Sequence, residues 1–137
     1  MENDEMMLLP RRERAAMYKR TTCNCCQAVL MAFAPELALP QQVLMGMGAC
    51  FGTGMGCLEE TCGALCGAQM AHGLFKYEGR KMNPQASQLR SMFEQRCGAT
   101  RCKVLKGVGS DAGVLCGCED CVLHAVDIVE QVVGLAP

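Results

Sequence analysis

The chain has 137 residues, half of them apolar, and its formal net charge is −1. A chain of this length can close one hydrophobic core, so we expect a single domain over residues 1–137. The nearly neutral charge provides no general field that would recruit nucleic acid or a membrane surface. With four Phe, two Tyr and no Trp, the core volume must come from small and aliphatic side chains, which suits closely packed helices better than a sheet.

We expect neither a leader nor a membrane span. The first residues, Met1-Glu-Asn-Asp-Glu-Met6, are acidic where a secretory signal is basic, and no apolar run follows them. The uncharged stretch 37–58 contains Pro40 and five glycines, which argues against insertion into a membrane. The sequence therefore predicts a cytoplasmic protein.

Twelve cysteines and eleven methionines are the unusual feature of the composition. In a short secreted chain this density of cysteine would indicate a disulfide scaffold. In a reducing compartment it indicates metal binding, redox exchange or the packing of small side chains. Composition alone leaves these three interpretations open.

Two helices are predicted in the first third of the chain. Residues 11–20 follow Pro10, a residue suited to the first position of a helix, and we interpret their five basic side chains as a solvated face. A second helix is predicted from a threonine cap at residues 21–22 to Ala34, where Pro35 ends it.

This second helix begins with three cysteines, Cys23, Cys25 and Cys26. Cys23 and Cys26 form a Cys-x-x-Cys pair just after Lys19 and Arg20, an arrangement that lowers the pKa of a thiol. For any one of the three, packing as a small hydrophobic side chain is an equally good interpretation.

A glycine-rich loop is predicted between two helices in the middle of the chain. The first helix is short and apolar, at residues 41–47, and the central helix runs from Thr61 to Tyr77. The Gly-x-Gly-x-Gly pattern between them has no preceding strand and no following Gly-Lys-Ser/Thr, so it indicates close packing or an anion nest rather than a nucleotide site.

The start of the central helix makes the sharpest chemical prediction. Cys62 is placed in the first turn, where free N–H groups and the helix dipole favour a thiolate. Cys66 follows four residues later on the same face. Gly63 and Gly67 carry no side chain, so another element could approach the backbone there closely.

Two longer helices are predicted in the second half of the chain. Asn83-Pro84 provides a cap and a first turn for a helix that ends at Gly98. A valine stripe at helical spacing marks the last helix, roughly from Cys118 to Val133. Residues 107–117 hold four glycines between these helices and predict a loop.

The charges near the C-terminal cysteines suggest different reactivities. Cys102 is surrounded in sequence by three basic residues, Arg101, Lys103 and Lys106. Their charge is expected to favour the Cys102 thiolate. The acidic spacer between Cys118 and Cys121 opposes thiolate formation, so this pair is expected to be the poorer nucleophile.

Together these patterns predict an all-α fold, a compact bundle of five to six helices with the glycine-rich loop before the central helix. Four segments resemble a known family. Cys62-Gly63-Ala64-Leu65-Cys66-Gly67 fits the Cys-Gly-Ala-x-x-Gly signature of a small bacterial family of redox-active proteins, named C_GCAxxG_C_C after its cysteine pattern. The family's other cysteine segments resemble the stretches 24–30, 93–105 and 121–125, so the resemblance covers roughly residues 21–130.

The resemblance implies a redox role. It also implies that the four cysteines characteristic of the family correspond to Cys25, Cys62, Cys102 and Cys121. The chain adds eight others to this pattern, Cys23, Cys26, Cys50, Cys57, Cys66, Cys97, Cys116 and Cys118.

Thiol–disulfide exchange is the preferred hypothesis for function, which would make the protein similar to a thiol–disulfide oxidoreductase. Cys62 or Cys102 would attack a partner sulfur, and Cys66 or a cysteine of a neighbouring helix would resolve the mixed disulfide. The cysteine pairs 23/26 and 118/121 are candidate exchanging dithiols. The partner would be a redox protein or a small thiol, and no cofactor is required.

The alternatives are a metal or cluster protein and a non-catalytic helical interaction or metal-storage module. An iron–sulfur cluster or zinc could be held by the four carried-over cysteines, Cys25, Cys62, Cys102 and Cys121. The spacing of the Cys-x-x-Cys pairs does not fit a zinc ribbon, and Val122 stands where haem attachment needs histidine. His124 is a further candidate ligand. The scattered methionines favour core packing over Cu(I) storage.

Overall fold

The computed structural model describes residues 3–137, with side chains from residue 5 onward. Residues 1 and 2, part of the acidic start that argues against a leader, lie outside this range. The helices within it are α1 (Asn3–Met7), α2 (Arg11–Thr21), α3 (Cys25–Ala32), α4 (Ala34–Leu37), α5 (Gln41–Gly48), α6 (Gly63–Lys76), α7 (Asn83–Cys97), α8 (Cys102–Lys106) and α9 (Cys118–Val133).

The all-α prediction is confirmed. Over residues 3–137 β-pairing is limited to one isolated antiparallel bridge, between Thr61 and Arg101. Three short helices, α1, α4 and α8, raise the number above the predicted five to six, because a helix of four or five residues is too short to show a period. None of the helices in the described range is long and apolar enough to cross a membrane.

The central helix α6 packs between α3 and α9, and α2 packs across those two helices. The core is filled by aliphatic, methionine and phenylalanine side chains, among them Leu30, Met31, Phe33, Phe93 and Val126. This arrangement places the N-terminal ends of α3, α6 and α9 near one another, which is where most of the cysteines lie.

Glycines allow α3 and α6 to approach closely. A Cβ atom on Gly67 would lie 2.8 Å from the carbonyl oxygen of Cys26 and 2.9 Å from Cβ of Val29. A Cβ atom on Gly63 would lie 2.5 Å from the carbonyl oxygen of Phe51. The prediction that another element approaches this bare backbone is therefore confirmed, and that element is α3 together with the start of the glycine-rich loop.

The start of α3 corrects one predicted boundary. Asn24 accepts a hydrogen bond from the backbone N–H of Gln27, and the Gln27 side chain accepts one from the backbone N–H of Asn24. This reciprocal capping box begins the helix at Cys25, so the predicted threonine cap is wrong. Pro35 is also misassigned, because it lies in the first turn of α4 rather than ending the preceding helix at Ala34.

The boundaries of the C-terminal helices are closer to the predictions. α7 begins at Asn83 with Met82 as its N-cap residue, one position before the predicted cap. Gly98 ends it in the left-handed conformation, with φ of 95°. α9 spans the predicted residues.

Several basic residues of α2 form hydrogen bonds and ion pairs with other helices instead of facing solvent. The guanidinium group of Arg14 is buried and donates hydrogen bonds to the carbonyl oxygens of Met31 and Ala32, at the end of α3. Other ion pairs join this helix to the rest of the bundle, Arg11 to Glu36 and Glu130, Arg12 to Asp127, and Arg20 to Glu119. The prediction of a solvated face is wrong for Arg14, because its charge satisfies the free carbonyl groups of α3.

Candidate functional site

A cavity of about 70 Å³ lies at the N-terminal end of α6. Its walls come from α3, α6, α8, α9 and the loops before them. Six cysteines line it, Cys25, Cys62, Cys102, Cys116, Cys118 and Cys121. The four cysteines carried over from the family resemblance are all in this set, so the fold brings together sulfur atoms from four separate segments.

Cys62 holds the central position in this cavity. It is the N-cap residue of α6, whose first helical residue is Gly63, two positions later than predicted. The backbone N–H groups of Ala64 and Leu65 lie near its sulfur and lower its pKa, and the N–H group of Leu65 donates to the Cys62 carbonyl oxygen at 3.1 Å. Its own N–H donates to the carbonyl oxygen of Thr100 at 2.7 Å, which fixes the segment before α6 against the loop before α8. Cys62 therefore lies one position before the first helical residue instead of within the first turn.

Two other thiols contact Cys62. The side chains of Cys121 on α9 and Cys25 on α3 are both in hydrogen-bond contact with its sulfur. The thiols of Cys121 and Cys25, followed by the nearby backbone N–H groups, lower the pKa of Cys62 to about 3, although burial acts in the opposite direction.

The neighbours of Cys62 show the opposite shift. The pKa of Cys25 is raised, first by its hydrogen bond with Cys118 and then by the one with Cys62. The pKa of Cys121 is raised chiefly by its hydrogen bond with Cys62. The thiols of Cys25 and Cys121 also donate to the carbonyl oxygens of Cys118 and Cys116, at 3.8 and 3.6 Å. Because these two thiols keep their protons while the pKa of Cys62 is lowered, the negative charge of the three resides on Cys62.

A further sulfur contact links this group to Cys118. Cys25 contacts Cys118, and the hydrogen bond between them lowers the pKa of Cys118 to about 6, with further support from the charges of Lys106 and Lys19. The predicted effect of the acidic spacer on Cys118 is therefore wrong. The Glu119 carboxylate pairs with Arg20 instead, and the charges that lower the pKa of Cys118 are those of Lys106 and Lys19.

Cys102 lies in the cavity wall, but its surroundings differ from the prediction. Burial raises the pKa of its thiol, and among the three flanking basic residues Lys106 is the one that opposes this shift. The other two, Arg101 and Lys103, form ion pairs with Glu59. The expected stabilisation of a Cys102 thiolate by all three charges is therefore wrong.

The glycine-rich loop covers Cys102. A Cβ atom on Gly54, whose φ is +54°, would lie 2.7 Å from Cβ of Cys102. The N–H group of Cys102 donates to the carbonyl oxygen of Glu60 at 3.0 Å, and that of Lys103 donates to Leu58 at 2.8 Å. The loop thus closes one side of the cavity through its backbone.

Cys66 is placed away from these sulfur atoms. It lines a different cavity, together with Phe51 and Met70, and burial raises its pKa to about 11. The first Cys-x-x-Cys pair lies among methionines, with the sulfur of Cys26 3.8 Å from that of Met70 and the sulfur of Cys23 3.5 Å from that of Met45.

Sequence reasoning gave no role to Cys97 and Cys116. Their side chains contact each other, and both contact Cys121. Over the described part of the chain, Cys97, Cys116 and His124 form the one group of potential metal ligands whose donor atoms all lie within 4.8 Å of one another. Cys97 ends α7 and Cys116 lies in a loop, so no sequence period connects them.

The fold and the cavity define a cysteine-rich, all-α protein in which six sulfur atoms surround one small space. Residues 23–132 match the family described as "Putative redox-active protein (C_GCAxxG_C_C)". The chain belongs to this family, and the resemblance drawn from its cysteine motifs is confirmed. No curated protein and no solved structure matches the chain.

Proposed function

We propose that the cavity performs thiol–disulfide exchange, with Cys62 as the attacking sulfur. The observation that carries this proposal is the position of Cys62, which lies at the head of α6 in a cavity lined by five other cysteines and contacts two of their thiols. The N–H groups and the helix dipole stabilise negative charge on the attacking sulfur. The adjacent thiols supply the second sulfur that a complete two-electron exchange requires.

The reaction begins when the Cys62 thiolate attacks one sulfur of a substrate disulfide. An S–S bond forms between Cys62 and the substrate, and the other substrate sulfur leaves as a thiolate that takes a proton from solvent. Cys25 then loses its proton and attacks the Cys62 sulfur, which releases the second substrate thiol. The protein gains a Cys25–Cys62 disulfide, and the substrate receives two electrons and two protons.

Cys25 suits the resolving role better than the other contacting thiol, Cys121. Cys25 is half-buried, whereas Cys121 is 1% exposed. Cys25 also contacts Cys118, which is half-buried in the same cavity wall. A disulfide formed at Cys25 is therefore closer to a reductant in solvent than one formed at Cys121.

The dimensions and charge of the cavity favour a small anionic disulfide as the substrate. A volume of about 70 Å³ admits a sulfur atom with a short stem, since one water occupies roughly 30 Å³ in the liquid. Lys19 and Lys106 lie in the wall and would attract carboxylate groups next to the reacting sulfur. A peptide-sized thiol that carries carboxylates has both properties.

The test uses the reduced, metal-free chain mixed with oxidised glutathione under anaerobic conditions. We expect two thiols to be lost per chain, and peptide mass mapping to locate the new disulfide between Cys25 and Cys62. Cys62→Ser should slow this paired loss by at least about 100-fold, because the attacking thiolate is gone. Cys66→Ser is the matched control, one turn further along α6, and should react within about twofold of the wild-type rate.

Two results would contradict the proposal. One is an unchanged rate of paired thiol loss in Cys62→Ser. The other is bound iron with visible absorption in protein purified without oxygen, lost when Cys25, Cys62, Cys102 or Cys121 is replaced, which would assign the cavity to an iron–sulfur cluster.

A further inference from the structure

A second group of chemically active side chains lies where the end of α7 meets α9, and it shares Cys116 with the cavity. Cys97 is the last residue of α7, Cys116 lies in the loop before α9, and His124 lies one turn after Cys121 on α9. One donor atom from each of Cys97, Cys116 and His124 lies within 4.8 Å of the other two. None of the three belongs to the cysteine pattern of the family.

The distances approach those of a bound zinc ion. Zinc binds thiolate sulfur at about 2.3 Å and imidazole nitrogen at about 2.0–2.1 Å in tetrahedral geometry, so two ligands of one ion lie roughly 3.5–4 Å apart. The upper limit of 4.8 Å exceeds that spacing by about one ångström, which small side-chain rotations can close.

The histidine provides a second, independent observation. Its Nδ1 atom is buried and accepts or donates no hydrogen bond within the described residues. An unpaired buried nitrogen costs on the order of 1–3 kcal/mol, so a metal ion bound at Nδ1 would remove an unfavourable term. His72 has the same unpaired Nδ1 but does not belong to a group of sulfur ligands in the described range, which makes it a matched comparison.

We propose that Cys97, Cys116 and His124 bind a Zn²⁺ ion through two thiolates and one imidazole. Thiolate and imidazole ligands suit zinc, whereas Mg²⁺ and Ca²⁺ require oxygen ligands that this group lacks. On binding, the two thiols release their protons to solvent and two Zn–S bonds and one Zn–N bond form. These three donors leave one of the four tetrahedral positions for a further ligand.

The ion would connect three separate parts of the chain. The loop at residues 108–115 is exposed, and its C-terminal end is held by the N–H groups of Leu115 and Cys116, which donate to the carbonyl oxygen of Leu105 at 3.0 and 3.1 Å. Zinc would add a direct bond from this loop to α7 and α9. It would also withdraw Cys116 and Cys97 from disulfide formation and leave Cys25, Cys62 and Cys121 for exchange.

The test is a titration of the full-length, reduced, metal-free chain with Co²⁺, followed by displacement with Zn²⁺. We expect one Co²⁺ per chain, with the sulfur charge-transfer bands and the visible bands of a tetrahedral ion. Cys116→Ser and His124→Gln should each weaken Zn²⁺ binding by at least about 100-fold, since removing a direct ligand should cost no less than removing a group that orients one. Both residues are half-buried, and circular dichroism checks that each variant folds.

Two control variants sharpen the test. His72→Gln removes the comparison histidine, and Cys57→Ser removes an exposed cysteine; both should bind Zn²⁺ as the wild type does. Added Zn²⁺ should raise the Tm of the wild type and of these controls but not of Cys116→Ser.

Three results would overturn the proposal. They are Co²⁺ spectra without sulfur bands, wild-type affinity in both Cys116→Ser and His124→Gln, and binding that is lost in Cys62→Ser but retained in Cys116→Ser. The last result would move the ion into the exchange cavity. The glutathione assay with Cys62→Ser is independent of all three, so the two proposals can fail separately.

Discussion

Cys62 and Cys26 are both buried, at 5% and 0% exposure, yet their thiols differ greatly in acidity. The pKa of Cys62 is lowered to about 3, whereas that of Cys26 is raised to about 12. Cys62 lies beside two thiols and the backbone N–H groups at the head of α6, and all of them lower its pKa. Cys26 faces the thioether of Met70, which has no proton to donate. Burial therefore raises the pKa of a thiol in this protein unless donors surround its sulfur.

The same difference in thiol acidity occurs between two cysteines one turn apart on α6. Cys66 follows Cys62 by four residues on α6, but burial raises its pKa to about 11. At Cys62 the N–H groups of the first turn are free to meet a sulfur atom, whereas further along the helix they are used by the helix itself. Position at the end of the helix separates a candidate nucleophile from a core side chain.

The largest expected effect concerns the close contact of Gly67 on α6 with the backbone of α3. Gly67→Ala should lower the free energy of unfolding by about 1–3 kcal/mol, because its Cβ would meet the backbone of α3 and force the helices apart. The distances involved are 2.8 Å to the carbonyl oxygen of Cys26 and 2.9 Å to Cβ of Val29. Urea denaturation of both proteins measures the difference.

Gly73→Ala is the matched control on the same helix. No atom lies within 4 Å of a Cβ at that position, so the substitution should stabilise the protein by roughly 0.5–1 kcal/mol through helix propensity. Equal unfolding free energies for the two variants would show that α3 and α6 do not pack as closely as described.

A smaller effect is expected from the lysines at the cavity. Lys106→Met should raise the pKa of Cys118, because the lysine charge lowers it toward its value of about 6. The change should be less than about one pH unit, since the lysine is half exposed and solvent screens it. The thiolate absorbance of Cys118, obtained as the difference from a Cys118→Ser background, follows the titration. An unchanged titration midpoint of Cys118 would show that the charge of Lys106 does not lower its pKa.

The fold and part of the site could be predicted from sequence because their causes are local. The valine stripe of α9 repeats at helical spacing and gave its boundaries. The bare backbone at Gly63 and Gly67 indicated a close helix contact, and the central helix indicated a thiol at its head. Each of these predictions depends on a few neighbouring residues.

The remaining errors arise from tertiary partners that the sequence does not reveal. Arg101 and Lys103 flank Cys102 in sequence, but Glu59 from the glycine-rich loop pairs with both. The acidic spacer after Cys118 is offset because Arg20 binds Glu119. Cys97 and Cys116 meet His124 only because three separate elements converge, and no local period can show that.

The most direct test of the central claim is the pH titration of thiolate absorbance in the reduced wild type and in Cys62→Ser. At about pH 5, well below the pKa of about 8.5 of a free thiol, the wild type should still carry one thiolate more than the variant. Cys26→Ala should match the wild type at that pH, because the Cys26 thiol titrates near 12. Equal thiolate absorbance at about pH 5 in the wild type and Cys62→Ser would contradict the account.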